Sequence, residues 1–149
     1  MIDIDKTKNR SRIDQSAVVP FRLKNDTVEI LLITSLQRKK WIIPKGIIDE
    51  PMTAREAAGQ EAWEEAGIKG DVLDIVLGEY SYRKWGGICH VTVFPMHVKK
   101  IYNAWPEENL RQRRWFDFEE ALKLLEKTEL KKLLKNFDKK KKAILSLIF

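Results

Sequence analysis

One cysteine, seven glycines and five prolines are all this 149-residue chain has of the residues that staple or punctuate a backbone. Cys89 alone excludes an internal disulfide, and no CxxC or Cys/His spacing closes a zinc site. His90 and His97 stand apart on an expected strand and read as structural or surface residues. No apolar run reaches the length of a membrane span, so no membrane partner is expected. The opening MIDIDKTKNRSRID is charged throughout and does not read as a secretory signal, which makes the cytoplasm the expected compartment. Repeats and Gly/Ser/Pro-rich linkers are missing too, and the length suits one domain with its own core.

Charge of one sign is scarce until the end of the chain. Residues 1–120 carry 19 Lys+Arg against 19 Asp+Glu, whereas residues 121–149 carry 9 Lys against 3 acids and supply the whole net charge of +6. A basic C-terminal segment with the run Lys139–Lys142 reads first as a solvated face. Nucleic acid is therefore a partner the charge permits and does not favour, and oligomeric state is left open.

After a polar leader over 1–15, Ala17–Arg22 and Glu29–Ser35 read as strands joined by a hairpin turn at Lys24-Asn25-Asp26. Trp41-Ile42-Ile43 is a short apolar run stopped by Pro44-Lys45-Gly46. Thr53-Ala54-Arg55-Glu56 fits a capping box opening a helix to Ala66, with Gly67 as its stop. Val72–Tyr82 and Ile88–Val98 read as longer strands joined through Trp85-Gly86-Gly87. Lys99–Gln112 reads as loop and Arg113–Phe116 as a short strand. Asp117-Phe118-Glu119-Glu120 reads as a second capping box, opening a helix to about Glu126, and Thr128 as the cap of another. Strands and helices without strict βαβ alternation predict an α/β (α+β) fold with a mixed sheet carrying helices. The expected divisions are 1–15 as leader, 16–138 as the domain, and 139–149 as a lysine run and short apolar tail whose first reading is packing against the domain.

The chemistry concentrates at the end of the helix 53–66. Glu61, Glu64 and Glu65 stand at i, i+3 and i+4, so three carboxylates share one face and repel one another. They sit near the helix C-terminus, where the dipole disfavours anions. A hard divalent cation offsets both costs, because Mg²⁺ takes carboxylate oxygens together with water and substrate phosphates. Upstream, Pro44-Lys45-Gly46 makes a tight turn in which glycine permits close backbone approach.

Gly46–Ile68 resembles the Nudix box, Gly-x5-Glu-x7-Arg-Glu-U-x-Glu-Glu-x-Gly-U with U aliphatic. The matching positions are Gly46, Glu61, Ala62, Glu64, Glu65, Gly67 and Ile68. Ala17–Ser35, Trp41–Gly46 and Arg113–Phe116 with Glu119-Glu120-Ala121 resemble compact Nudix hydrolases related to diphosphoinositol-polyphosphate and diadenosine-polyphosphate phosphohydrolases. The run from Val18 to Phe137 is also similar to short bacterial Nudix proteins. Two positions depart: Met52 replaces the first Glu of the box and Gln60 its Arg, so the supporting ion pair of the family is missing here. Glu50 lies two residues ahead of Met52.

The resemblance implies a Nudix-type α/β/α sandwich and a metal-dependent pyrophosphohydrolase using Mg²⁺ or Mn²⁺. Its expected substrate is a small phosphate compound, a nucleoside diphosphate derivative or a dinucleoside polyphosphate. It implies Glu61 and Glu65 as main metal ligands, the Gly46 carbonyl as a third, and Glu64 as general base or further ligand. Glu107 or Glu108 is a possible extra carboxylate. Lys45 and Arg113 are the first expected contacts for substrate phosphate, with Arg38, Arg83 and Arg111 behind them and Lys39, Lys40 and Lys84 nearby. Trp85, Tyr82 or Trp105 offers a ring for a nucleobase. The rival readings are an inositol-pyrophosphate substrate, an RNA 5′ end held by the lysine-rich tail, and a non-catalytic nucleotide-binding module.

Overall fold

A tight hairpin opens the domain. In the computed structural model, which describes residues 12–149, β1 (Arg12–Lys24) and β2 (Thr27–Thr34) pair antiparallel. Asn25 and Asp26 both adopt positive φ, 52° and 63°, the two-residue turn whose twist suits a hairpin. Residues 1–11 of the expected leader lie outside the described residues. Arg12–Gln15 are already strand, because β1 pairs from Arg12 onward with a partner far along the chain.

That partner is β7 (Gly87–Ile101), and it runs parallel to β1 from Arg12↔Ile88 to Phe21↔His97. β3 (Trp41–Ile42) and β8 (Arg113–Asp117) both pair with β2, while β4 (Lys45–Ile47) pairs with β1 at Gln15–Ala17. β5 (Ile68–Val72) and β6 (Gly78–Lys84) pair one after the other along the free edge of β7. The single strand expected over Val72–Tyr82 is therefore two. Val72 lies opposite Met96 and Gly78 opposite Val93, so five residues cross a gap of two and must leave the ladder. Leu73 and Leu77 are buried there and hold the detour to Pro95 and Val93 through backbone hydrogen bonds.

The resulting eight-stranded mixed sheet carries helices on both faces, an α/β/α sandwich. Period-two alternation sorts the core. Ala17, Val19, Phe21, Val28, Ile30 and Leu32 point to one face, and Val18, Leu31 and Ile33 to the other. The second face is covered by α1 (Ala54–Ala66) through Ala58, Ala62 and Ala66, small residues that let helix and sheet approach closely.

The first face is covered by α2 (Phe118–Leu124), α3 (Thr128–Lys139) and α4 (Lys141–Ser146) through Ala121, Leu130, Leu133, Leu134, Phe137 and Ile144. Asp117 caps α2 by accepting from the Glu120 amide. Thr128 is the first residue of α3 and not its cap; Lys127 holds that position without a side-chain bond. Part of the apolar end of the chain packs on the domain, with Ile144 fully buried and Leu145 and Ile148 against the core, whereas Leu147 and Phe149 are exposed. No described helix is long and apolar enough to cross a membrane.

Candidate active site

Three local devices hold α1 in place. Thr53 and Glu56 form the capping box at its start, each side chain bonded to the other's backbone amide. Gly67, at φ 67°, turns the chain out at its end. The last carbonyls are then taken up by the Tyr102–Gln112 loop and β8. The Glu107 amide donates to Glu64 O at 3.0 Å, Trp105 Nε1 to Glu65 O at 3.2 Å, and the Tyr102 amide to Gly67 O at 2.9 Å. Arg113 adds bonds to Ala66 O at 2.8 Å, Gly67 O at 3.3 Å and Tyr102 O at 2.6 Å. A helix end otherwise leaves its carbonyls unpaired; here it is anchored where the acidic residues sit.

Glu61, Glu64 and Glu65 come together beside β4. Glu61 lies directly against Gly46: a Cβ at position 46 would overlap its carboxylate, so any other residue there would push the Glu61 side chain out of this position. Glu65 is buried and accepts from the Lys45 amide at 3.2 Å. Glu64 accepts from Gln60 Nε2 at 3.1 Å. Against the family pattern Gln60 stands only as a lost arginine; its i, i+4 spacing to Glu64 is the available signal for this bond.

The electrostatics follow from the crowding. Burial, then repulsion by Glu65 and Glu64, pushes Glu61 up to about 8. Burial pushes Glu65 up to about 7, although Arg111 and the Lys45 amide pull against it. Glu107 raises both and stands as the fourth carboxylate of the cluster. Among the described residues no three acidic, His or Cys side chains are already arranged so that they could hold a metal ion. The fit to a cation rests on other observations: clustered hard oxygen donors, raised carboxyl pKa values, and a glycine cradle under Glu61. Such a set suits a hard divalent ion that retains water and substrate oxygens. Ser16, the register partner of Gly46, adds a fully buried hydroxyl with no hydrogen-bond partner.

The expected phosphate contacts separate. Arg111, its side chain only 7% exposed, lies 3.5 Å from Glu65 Oε2 and donates to Glu107 Oε1 at 2.8 Å and Thr34 O at 3.0 Å. It clamps two carboxylates to the end of β2. Arg113 is occupied by the three carbonyls above and by the face of Trp105 at 3.9 Å. Its guanidinium closes the helix end, and Trp105 is held in that same packing. Arg38 is exposed in the Ser35–Lys40 turn, whereas Arg83 is exposed at the end of β6 on the sheet face that carries α1. Lys39 bonds the Leu110 carbonyl, and Lys40 pairs with Glu126.

Lys45 uses its backbone for Glu65 and its side chain elsewhere. Opposite Ala17, it points to the sheet face covered by α2–α4, with Nζ 4.8 Å from the centre of the Tyr82 ring. Burial lowers its pKa, and the nearby Lys127 and Lys84 lower it further. Lys127, 82 residues away in sequence, gives no signal of this neighbourhood before the chain folds. Tyr82 donates to Gln15 Oε1 at 2.6 Å, which fixes the ring beneath Lys45. Trp85 is exposed at the tip of the β6–β7 hairpin with φ 55°, and Lys84 lies over its ring. His90 pairs with Glu79 and Ser81, and His97 stacks on Phe21; both are structural.

Comparison with known proteins agrees with this geometry. Residues 14–137 match the NUDIX domain family model. Nudix hydrolase 13, mitochondrial, of Arabidopsis thaliana is 33% identical, the alignment covering 82% of this chain and 71% of the relative. Diphosphoinositol polyphosphate phosphohydrolase 2 of Rattus norvegicus is also 33% identical, over 75% and 62% of the two chains. The crystal structure of the C. elegans Ap4A hydrolase superposes with a TM-score of 0.70 at 22% identity, covering 85% of this chain and 96% of the other, and so shares the fold. A family match across most of the chain, relatives at one-third identity and the carboxylate helix together establish that this protein belongs to the Nudix family of hydrolases acting on phosphorus-containing acid anhydrides.

Proposed function

We propose that this chain is a Mg²⁺- or Mn²⁺-dependent pyrophosphohydrolase cleaving a diphosphate linkage in a nucleoside diphosphate derivative or a dinucleoside polyphosphate. The observation that carries the proposal is the placement of Glu61, Glu64 and Glu65 around Gly46, with Glu107 and Arg111 closing the cluster. Glu61 and Glu65, with the Gly46 carbonyl, would hold the cation. When bound, it supplies charge neutralisation at the bridging and leaving oxygens of the phosphate chain.

The remaining work belongs to the side chains. Glu64, like Glu61, forms no ion pair among the described residues, and it is held by the neutral amide of Gln60, which suits a base that accepts a proton from the attacking water. The water oxygen bonds to phosphorus, the bond from phosphorus to the bridging oxygen breaks, and the proton resides on Glu64. Arg111 keeps Glu65 and Glu107 oriented through this change. On the other side of β4, Lys45, Lys84 and Lys127 repel one another across Tyr82. An anion relieves that repulsion, which supports a substrate with several phosphates. Arg83 and Arg38 remain the peripheral cations of this reading, and Trp85 its exposed stacking surface.

The test is a panel of nucleotides, dinucleoside polyphosphates, inositol pyrophosphate and 5′-triphosphate RNA, each with Mg²⁺ or Mn²⁺. Turnover of the nucleotide members is expected, and Glu64→Gln should lower kcat by about 10²–10⁴-fold with the fold retained. No turnover of any member would favour a binding module, and a fully active Glu64→Gln would remove Glu64 from the mechanism.

A further inference from the structure

Ser16 breaks the pattern of the buried stretch of β1. Its side chain is fully buried, and its hydroxyl has no hydrogen-bond partner among the described residues. A buried hydroxyl left unpaired lowers stability, whereas alanine would fill nearly the same space without that cost. The residues around it follow the ordinary rule. Gln15 accepts from Tyr82, and Ala17, Val18 and Val19 are apolar. The other buried side-chain atom left unpaired among the described residues is His97 Nδ1, on the opposite face of the sheet beside Phe21.

The register of the sheet shows where the hydroxyl points. At this level β1 lies between Gly46 of β4 and Thr92 of β7. Residues opposite one another on adjacent strands send their side chains to the same face. At Gly46 that face belongs to Glu61, since a Cβ there would run into the Glu61 carboxylate. The carboxylate therefore takes the place that a cross-strand side chain would fill beside Ser16. Opposed Cβ positions are about 5 Å apart, which makes the two groups lateral neighbours beneath α1. The other acids on this part of the face are committed: Asp14 pairs with Arg12, and Glu79 with His90. Glu61 forms no ion pair among the described residues.

We propose that Ser16 is a positioning residue for the divalent cation, its hydroxyl donating to the Glu61 carboxylate when that carboxylate is ionised and holds the ion. A carboxylate has lone pairs enough for a cation and a hydroxyl donor together, and a serine hydroxyl turns freely to meet an acceptor. The bond would fix the rotation of Glu61 against the glycine beneath it. This role rests on the cation reading of the carboxylate cluster and is independent of which phosphate compound is cleaved.

Two measurements on the full chain test it, both without substrate: Mn²⁺ binding, read from the electron paramagnetic resonance signal of the free ion, and urea unfolding in EDTA. Ser16→Ala should bind Mn²⁺ about 10-fold more weakly, the equivalent of one hydrogen bond to a charged group. Its metal-free urea midpoint should equal or exceed that of the wild type, because the unpaired hydroxyl is gone. Thr92→Val removes a hydroxyl from the same face one strand further from Glu61, and should bind Mn²⁺ as the wild type does. A residue that only fills space would move the metal-free midpoint and leave Mn²⁺ affinity alone. Equal Mn²⁺ affinity in wild type and Ser16→Ala would overturn the role of Ser16 and leave the cation site standing. Equal weakening in Ser16→Ala and Thr92→Val would overturn it in favour of a general disturbance of the sheet. A metal-free Ser16→Ala less stable than the wild type would overturn it by showing that the hydroxyl already has a partner. No Mn²⁺ binding by the wild type would remove the cation reading itself, and the role of Ser16 with it.

Discussion

Glu65 is a carboxyl group kept largely out of water, and replacing it by glutamine should change how stability depends on pH. Its folded-state pKa is about 7, against an ordinary value of 4.5, chiefly through burial. The sign follows from proton binding. Between pH 4.5 and 7 the folded protein retains a proton that the unfolded chain releases, so stability declines as pH rises through that window. Raising the carboxyl from 4.5 to about 7, at ~1.4 kcal/mol per tenfold change in proton affinity, is a loss of about 3 kcal/mol. Glu61, raised to about 8, carries the decline further, and part of its rise comes from Glu65 itself. In Glu65→Gln the first contribution vanishes and the second shrinks.

Urea unfolding in EDTA at pH 5, 6, 7 and 8 measures this directly. The wild type should lose stability across the series, and the variant should lose about 3 kcal/mol less. Saturating Mg²⁺ at pH 8, at about a hundred times its Kd, should return about 2.7 kcal/mol to the wild type and little to the variant. Parallel pH curves for the two proteins would refute the assignment of Glu65 as a buried, proton-holding carboxyl.

Other substitutions separate the remaining roles. Gly46→Ala forces a methyl group into the Glu61 carboxylate; Mg²⁺ affinity and kcat should both fall about 10-fold or more by titration and initial rates, with urea stability changed by under about 1 kcal/mol. Arg113→Met leaves the carbonyls of Ala66 and Tyr102 without their Arg113 donor and takes one of two donors from Gly67, and should cost about 2–3 kcal/mol in urea unfolding without a selective rise in KM. Lys45→Met removes a half-buried cation from beside Lys84 and Lys127; KM for a polyphosphate nucleotide should rise about 10-fold while the fold, monitored by circular dichroism, persists.

Much of this architecture was legible as local chemistry. The hairpin at Asn25-Asp26, the Thr53/Glu56 capping box, the Gly67 stop and the shared face of Glu61, Glu64 and Glu65 are short-range features whose causes lie within a few residues. Period-two alternation in Ala17–Phe21 and Val28–Ile33 likewise assigns side chains to faces before any partner is known. The division of Val72–Tyr82 was not legible, because it depends on how two strands share one edge of β7.

The arginines show the same limit at the site. Arg111 and Arg113 are two residues apart and read alike in the sequence as candidate phosphate contacts. Folding instead directs Arg111 to Glu65 and Glu107, and Arg113 to the end of α1. The sequence by itself determined the family pattern, the acidic helix and the glycine beneath it, since these follow from helical spacing and backbone permissiveness. Only the tertiary structure decided which cations are committed within the protein, because a guanidinium or ammonium is held by whichever acceptors the fold brings within about 3–4 Å. The same holds for Lys127 beside Lys45.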